Sequence, residues 1–548
     1  MFSYHPQAPS VRLASKVAFF LPTPSVSAHE TESTRAFWAR KGAARAFLAR
    51  NAAIHGPGLA INRSGAIYFD ITDLLDHFRR ESRVGGIQRV SLATIARFRE
   101  LGEAAGVRLI AFHPRLKKTL VCDVSDFPLD ATSGPQFSAY FGVHYKGRHS
   151  LDAYLDRRYR SGKARLFNKY RLIASNALTK GKTFRRKGVQ DSEVKGPIKP
   201  IQWREPDFSQ GDVVLISGGL RVIGRFMAEL SQARREKGVA LVQFVHDVLP
   251  LTDPQFYLQG HPLLFADWLD GINDCCDRII TTTARNANDF SAELVRRNKA
   301  PIPARVVPLA HEFRERTGDD DRPLYEQVST RVLSVARLPY VLCVGTREIR
   351  KNNLTLAKVW QQLESKYGAS LPRLVFAGRQ GWMNEEFDRF LLRTENVNDS
   401  ILIAESPSDD ELAYLYKNSL FSLFPSFCEG WGLPIGESLW FDRPVIASNL
   451  SSMPDVAGDL VDYIDPYDSA SIEAAVERLL DPAYRQQRTD QIHAAPKRRW
   501  SDFADDLLKE LGHIQAVTSA AAIGRPTFPP APQLAQCPPP NLGNADER

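Results

Sequence analysis

FPSFCEGWGLPIGESL, Phe424 to Leu439, reads as the end of a buried strand, a glycine-punctuated loop and the opening of a helix. Gly430 and Gly432 lack side chains, so backbone there can approach a ligand closely. Pro434 suits the first helical position, where a missing N–H costs nothing and the remaining free N–H groups face outward. An anionic diphosphate fits such a place. Glu437 is expected in the first helical turn, where its carboxylate can accept two hydrogen bonds from a ribose diol. Glu429, one loop earlier, can reach the hydroxyls of a bound sugar. A plainer reading makes Glu437 a complement to the helix dipole and Glu429 a surface carboxylate.

Outward from this stretch, short apolar runs alternate with helical patterns. Before it come YVLCVG, RLVFAG and ILIAE; after it come RPVIAS and LVDYID. The segments Leu354–Tyr367 and Asp409–Lys417 have the length and periodicity of covering helices. The N-terminal half shows the same rhythm in IYFDI, VRLIAF, DVVLIS, ALVQFV, RIITTT and ARVVPL. Such βα repetition implies parallel sheets, and therefore two doubly wound α/β domains. The polar stretch RERTGDDDRP, Arg314–Pro323, separates them. The expected organisation is an N-terminal extension over 1–62, a first domain over 63–325, a second over 326–497, a closing helix over 498–518 and a Pro-rich disordered tail over 519–548.

Composition agrees with a globular, two- or three-domain chain: 548 residues, 43% hydrophobic and 24% charged. The longest apolar runs are strand-sized, and VAFFLP at Val17–Pro22 is too short for a signal-peptide core, so a cytosolic protein is expected. The six cysteines, at 122, 275, 276, 343, 428 and 537, show no regular spacing and read as reduced structural thiols. The net charge of +8 is unevenly placed, because Lys146–Lys187 holds fourteen Lys or Arg against two acids. Tyr154, Leu155, Tyr159, Leu166 and Phe167 are interleaved with those charges. The basic insertion, about 146–188, therefore reads either as a solvated face or as a surface for anionic head groups or an anionic acceptor, giving peripheral contact with the inner face of a membrane. No nucleic-acid motif accompanies it.

The pair Glu429 and Glu437, with seven residues between them, and the string EGWGLPIGES closely resemble the E-x7-E signature of retaining glycosyltransferases of family 4. The resemblance implies the GT-B fold, two Rossmann-like domains facing across a cleft, and a nucleotide-sugar donor. It extends to YVLCVGTREIRKNNLTLAKVWQQL, similar to the family's grip on the donor diphosphate, where Arg350 and Lys351 are the residues singled out. Two adjacent cations after a glycine turn can neutralise charge growing on a leaving diphosphate. The donor-binding set implied is Arg350, Lys351, Glu437, Gly430, Trp431, Gly432, Leu433, Gly345, Thr346, Gly85 and Gly86. Many members carry an arginine directly after the Val-Gly pair; this chain has Thr346 and then Arg347, which leaves the part played by Arg347 open. In the first half, FDITDLL (Phe69–Leu75) and GGIQRV (Gly85–Val90) look like the first strand region and the glycine loop facing the donor. FVHDVLPLTDPQFY (Phe244–Tyr257) resembles the family's strand-end histidine segment, which makes His246 a catalytic candidate beside Glu429. Thr283, Arg285 and Asn286 look like cleft-lining residues.

Only Asp319–Asp321 has the DxD spacing of a metal-dependent transferase, in the polar connection with no strand before it. No metal and no other cofactor are expected. The resemblance implies a retaining, metal-independent hexosyltransferase, and the strings VGTREIRKN and EGWGLPIGE, most similar to members that build mannose-containing surface polysaccharides, make mannose from GDP-mannose the favoured donor. Its acceptor would be a glycan or lipid-linked glycan in surface polysaccharide synthesis. A sugar-nucleotide epimerase on the same fold and a non-catalytic subunit are the alternatives.

Overall fold

The computed structural model describes residues 65–81, 85–102, 106–129, 134–143, 200–218, 224–313 and 328–521. The N-terminal extension, the basic insertion, the Asp319–Asp321 connection and the tail beyond 521 lie outside the described residues.

The first lobe is built on a 7-stranded sheet in the order β3-β2-β1-β4-β5-β6-β7. The strands are β1 (Ile67–Asp70), β2 (Val107–His113), β3 (Lys118–Asp123), β4 (Val213–Ile216), β5 (Ala240–Val245), β6 (Arg278–Thr281) and β7 (Ala304–Val306). Every residue of β1, β4 and β5 is buried, as expected for central strands covered on both faces. Six of these strands follow the apolar runs of the sequence. The seventh, β3, is a correction: KTLVCD folds back antiparallel on β2 through a turn in which Lys117 has φ 57°.

The second lobe has a 6-stranded, all-parallel sheet in the order β10-β9-β8-β11-β12-β13. Its strands are β8 (Tyr340–Val344), β9 (Arg373–Gly378), β10 (Ile401–Glu405), β11 (Ser422–Phe424), β12 (Val445–Ser448) and β13 (Asp462–Ile464). The helix Asn353–Tyr367 buries Leu356, Val359, Trp360 and Leu363 against Val341, Leu374 and Phe376. The helix Asp409–Asn418 starts with a capping box. Ser408 Oγ accepts from the Glu411 N–H at 3.2 Å, and the Ser408 N–H donates to the Glu411 carboxylate at 2.8 Å.

Both sheets reverse direction once, between β1 and β4 and between β8 and β11. At such a point successive connections leave to opposite sides, and a crevice opens beyond the carboxyl ends of the two strands. The helix Trp500–Ala521 follows the second lobe and packs against the first-lobe helix Gly86–Leu101. Arg97 binds Asp505 through two hydrogen bonds of 3.0 and 3.1 Å, and Phe244 meets Phe503 edge to face. Leu507 and Leu511 share a buried cluster with Leu215 and Phe244 of the first lobe and with Ile435 and Leu439 of the second. The lobes are therefore in contact. The five cysteines within the described residues are free thiols. No described helix is long and apolar enough to cross a membrane.

Candidate functional site

The two strings singled out in the second half follow β8 and β11, the strands that flank the reversal of the second sheet. Gly345, just past β8, has φ 152° and would place a Cβ 3.3 Å from Lys351 Cε, so the chain turns where a larger residue would crowd the lysine. Ile349–Lys351 forms a single tight turn, and the Phe427 N–H donates to the Arg350 carbonyl at 2.8 Å, tying the two loops together. Arg350 Nη1 then reaches Glu429 Oε2 at 2.7 Å and the Cys428 carbonyl at 3.1 Å. Lys351 Nζ lies 2.5 Å from Glu429 Oε1 and 4.6 Å above the Phe424 ring. The Glu429 carbonyl is in turn held by the hydroxyls of Ser451 and Ser452, at 2.9 and 2.5 Å.

Electrostatics follow from this packing. Burial pushes the Glu429 carboxyl up, but Arg350 and Lys351 outweigh it and hold the group down at about 2. Glu348, 2.5 Å from Arg350 Nε, is raised by its burial. Arg350 stays firmly charged because Glu429 and Glu348 oppose its own desolvation. The sequence suggested cations for a diphosphate and a separate carboxylate for a sugar. The structure joins them in one ion cluster, in which Glu429 holds both cations and Glu348 stands beside Arg350.

First-lobe groups close over this cluster. His246 and Asp247 follow β5, and Asn286 Nδ2 donates to the His246 carbonyl at 2.9 Å and to the Gly430 carbonyl at 2.6 Å. Thr282 Oγ1 also donates to the Gly430 carbonyl, at 3.1 Å. A Cβ on Gly430 would stand 2.7 Å from Asp247 Oδ2, so this glycine is required by the approach of the opposite lobe. Burial lowers His246 to about 4, which leaves it neutral at pH 7, and raises Asp247. Gly85 precedes the helix Gly86–Leu101, and a Cβ on Gly86 would meet Leu433 Cδ1 at 3.4 Å; the glycine loop thus faces the second lobe directly. Thr283 Oγ1 caps its helix by accepting from the Asn286 N–H at 3.0 Å. Arg285 instead pairs with Asp289 on the surface, at 2.8 Å.

Two expectations change in the second lobe, and the part played by Arg347, left open by the sequence, is placed. Gly432, at φ 100°, is the residue before the helix Leu433–Trp440, so Pro434 is the second helical residue and Glu437 falls in the second turn, beyond the dipole's N-terminal reach. Glu437 is only 4% exposed. Its Oε1 accepts from Arg89 Nη1 at 2.5 Å and its Oε2 from the Tyr416 hydroxyl at 2.9 Å. Arg347 does not enter the cleft, since its guanidinium donates to the Gly378 carbonyl at 2.6 Å and to Glu405 at 2.5 Å, at the ends of β9 and β10. Arg347→Ala should therefore lower unfolding free energy by roughly 1–3 kcal/mol. Nucleotide affinity should stay unchanged in the same preparation, and a tenfold loss of binding would return Arg347 to the site.

Trp431 is buried, with its indole N–H unpartnered among the described residues. Thr346 borders a small cavity of about 10 Å³, room for one water, at the reversal between β8 and β11. Lys351, Asn353 and Ser426 also line it, and Asn353 Nδ2 and Ser426 Oγ have no hydrogen-bond partner among the described residues. Asn353 and Ser426 lie inside the strings quoted from the sequence, but periodicity does not tell where a side chain points. Arg89 and Tyr416 escape a sequence reading for the same reason. Among the described residues no group of His, Cys, Asp and Glu is gathered as a metal-ligand set.

Two Rossmann-like sheets in lobes that pack together, with an ion cluster at the reversal of the second sheet, define the GT-B fold class. Residues 329–498 match the family described as Glycosyl transferases group 1. That match covers the second lobe, where Arg350, Lys351 and Glu429 lie. It is 25% identical over 307 residues to the serotype-specific mannosyltransferase WbdA of Escherichia coli, a match covering 56% of this chain and 37% of that protein. It is 28% identical over 258 residues to the O-antigen chain mannosyltransferase B of Escherichia coli, covering 46% of this chain and 65% of that one. The chain therefore spans little more than a third of the length of the first of these relatives and just under two thirds of the second. A solved structure described as trehalose-6-phosphate from E. coli bound with UDP-2-fluoro glucose aligns with a TM-score of 0.48 at 13% identity, over 82% of this chain and 99% of that one.

Proposed function

We propose that this chain is a retaining, metal-independent glycosyltransferase that moves a hexose, with mannose from GDP-mannose as the favoured donor, to a glycan or lipid-linked acceptor of a surface polysaccharide. The observation that carries the reading is the meeting of Arg350, Lys351 and Glu429 at the reversal of the second sheet. Two relatives whose names describe mannosyltransferases support the choice of sugar.

In this reading the diphosphate of the donor takes Arg350 and Lys351 from Glu429. The cations then stabilise the charge that develops on the leaving phosphate, which is where fixed charges in a dry site act most strongly. The freed Glu429 carboxylate faces the transferred sugar and offsets positive charge at its anomeric carbon. Glu437 holds the ribose, and neutral His246 lies on the sugar's side of the cleft. The acceptor oxygen attacks on the face the diphosphate leaves, and the departing phosphate oxygen takes the acceptor's proton. No enzyme nucleophile is needed, so the two glutamates do not work as the opposed pair of a retaining glycosidase.

The deciding experiment is a thermal-stability panel of GDP, UDP, GDP-mannose and UDP-sugars, because a ligand bound only by the folded state stabilises it, by about 2.7 kcal/mol at a hundredfold excess over Kd. GDP-mannose is expected to give the largest shift. A panel without any shift would remove the donor site. With the donor identified, transfer in excess EDTA should retain full rate, since the two cations supply the charge a divalent ion would bring. Loss of activity on chelation, restored by added Mg²⁺ or Mn²⁺, would overturn the metal-independent mechanism.

A further inference from the structure

Among the described residues, Arg89 is the one first-lobe cation bound to Glu437. It is the fourth residue of the helix Gly86–Leu101, directly after the glycine loop, and its side chain crosses into the second lobe. There Nη1 meets Glu437 Oε1 at 2.5 Å and Nη2 meets Asp409 Oδ1 at 2.8 Å, while the guanidinium carbon stands 5.3 Å over the Phe313 ring. Phe313 packs in a second-lobe cluster with Tyr340, Leu342 and Tyr416. Burial opposes the charge of Arg89, but Glu437 and Asp409 more than compensate. One rigid fork thus spans two carboxylates that belong to the other lobe.

The consequence concerns access. With Arg89 and Tyr416 on its two oxygens, Glu437 is 4% exposed, so its carboxylate is nearly closed to solvent. A ligand reaches that carboxylate only after the clasp has opened.

We infer that Arg89 is a positioning residue for the nucleoside subsite: it clasps the Glu437 carboxylate across the two lobes and competes for it with the ribose of a nucleoside diphosphate. The inference rests on the proposed role of Glu437 as the ribose partner. Clasped molecules do not bind, so the observed affinity is the intrinsic affinity reduced by the fraction that is open. Loosening the clasp therefore tightens nucleotide binding, the opposite of what loss of a ligand contact does.

Isothermal titration with GDP and with UDP, on the full chain, tests this. Arg89→Met is expected to bind the nucleoside diphosphate roughly tenfold more tightly than the native protein, within the usual range of a coupling between sites. Arg89→Lys, which keeps the charge without the fork, is expected to fall between them. Asp409→Asn breaks the same clasp from its far end without touching Glu437 and should also tighten binding. Ligand-free Arg89→Met should show a larger radius of gyration in small-angle scattering than the native protein. Weaker or unchanged binding in both Arg89→Met and Asp409→Asn would overturn the inference and leave the proposed function standing. Native protein that binds neither GDP nor UDP would sink both.

Discussion

Glu429→Gln is expected to lower the rate constant of sugar transfer by about 10²–10³, the cost commonly seen when one preorganised electrostatic group is removed from a reaction centre. The replacement keeps the shape of the side chain, and the carbonyl of residue 429 keeps its bonds to Ser451 and Ser452. What disappears is the negative charge between two cations and the sugar. Initial rates with a saturating donor measure the effect, and a variant with more than a third of native activity would refute the assignment. The same substitution carries a stability signature. The folded-state pKa of Glu429, about 2, lies below its ordinary value of 4.5. The ion cluster therefore stabilises the fold fully above about pH 4.5, and that contribution is lost as pH falls toward 2. Unfolding free energies of the native protein should fall over that interval more steeply than those of Glu429→Gln. Parallel curves would mean that the cluster does not form in solution.

Arg350→Ala should reduce kcat/KM for the donor by a further large factor, on the order of 10³, with part of the loss in donor KM. Arg350 is bound at once to Glu429, to the Cys428 carbonyl and beside Glu348, a set of partners that only a planar fork can span. Arg350→Lys is therefore expected to recover less than about tenfold of the lost kcat/KM, because an ammonium cannot reproduce that geometry. Full recovery by lysine would show that charge alone is used at this position. Truncation also leaves Glu348 and Glu429 short of one partner in a buried place, so a fall in melting temperature accompanies the kinetic loss. Donor titrations below the melting transition separate the two effects.

Local pattern made much of this protein legible. The apolar runs that end at Val344 and Phe424 are short, and each is followed by a helical period, so their identity as strands of a parallel sheet depends on neighbours a few residues away. The loop around Gly430 and Gly432 was readable for the same reason, since glycine's allowed angles are a property of one residue. β3 escaped because a five- or six-residue run after a two-sided basic turn carries no helical partner to mark it. Spacing alone did not separate Arg347 from Arg350, as both follow the same glycine within five positions, and only the family resemblance singled out Arg350. The structure sends one to Glu405 and the other to Glu429.

By itself the sequence determined most of the segments that become strands and helices, β3 apart, where glycine allows a sharp turn, and which charged residues stand beside those turns. These depend on backbone periods and steric rules that act over a few residues. Only the tertiary structure decided that β8 and β11 lie side by side, bringing Arg350 and Lys351 onto Glu429, and that Arg89 crosses from the facing lobe to Glu437. Those pairings join residues 78, 79 and 348 positions apart, and what sets them is the order of strands and the burial of one lobe against the other, which no local period records.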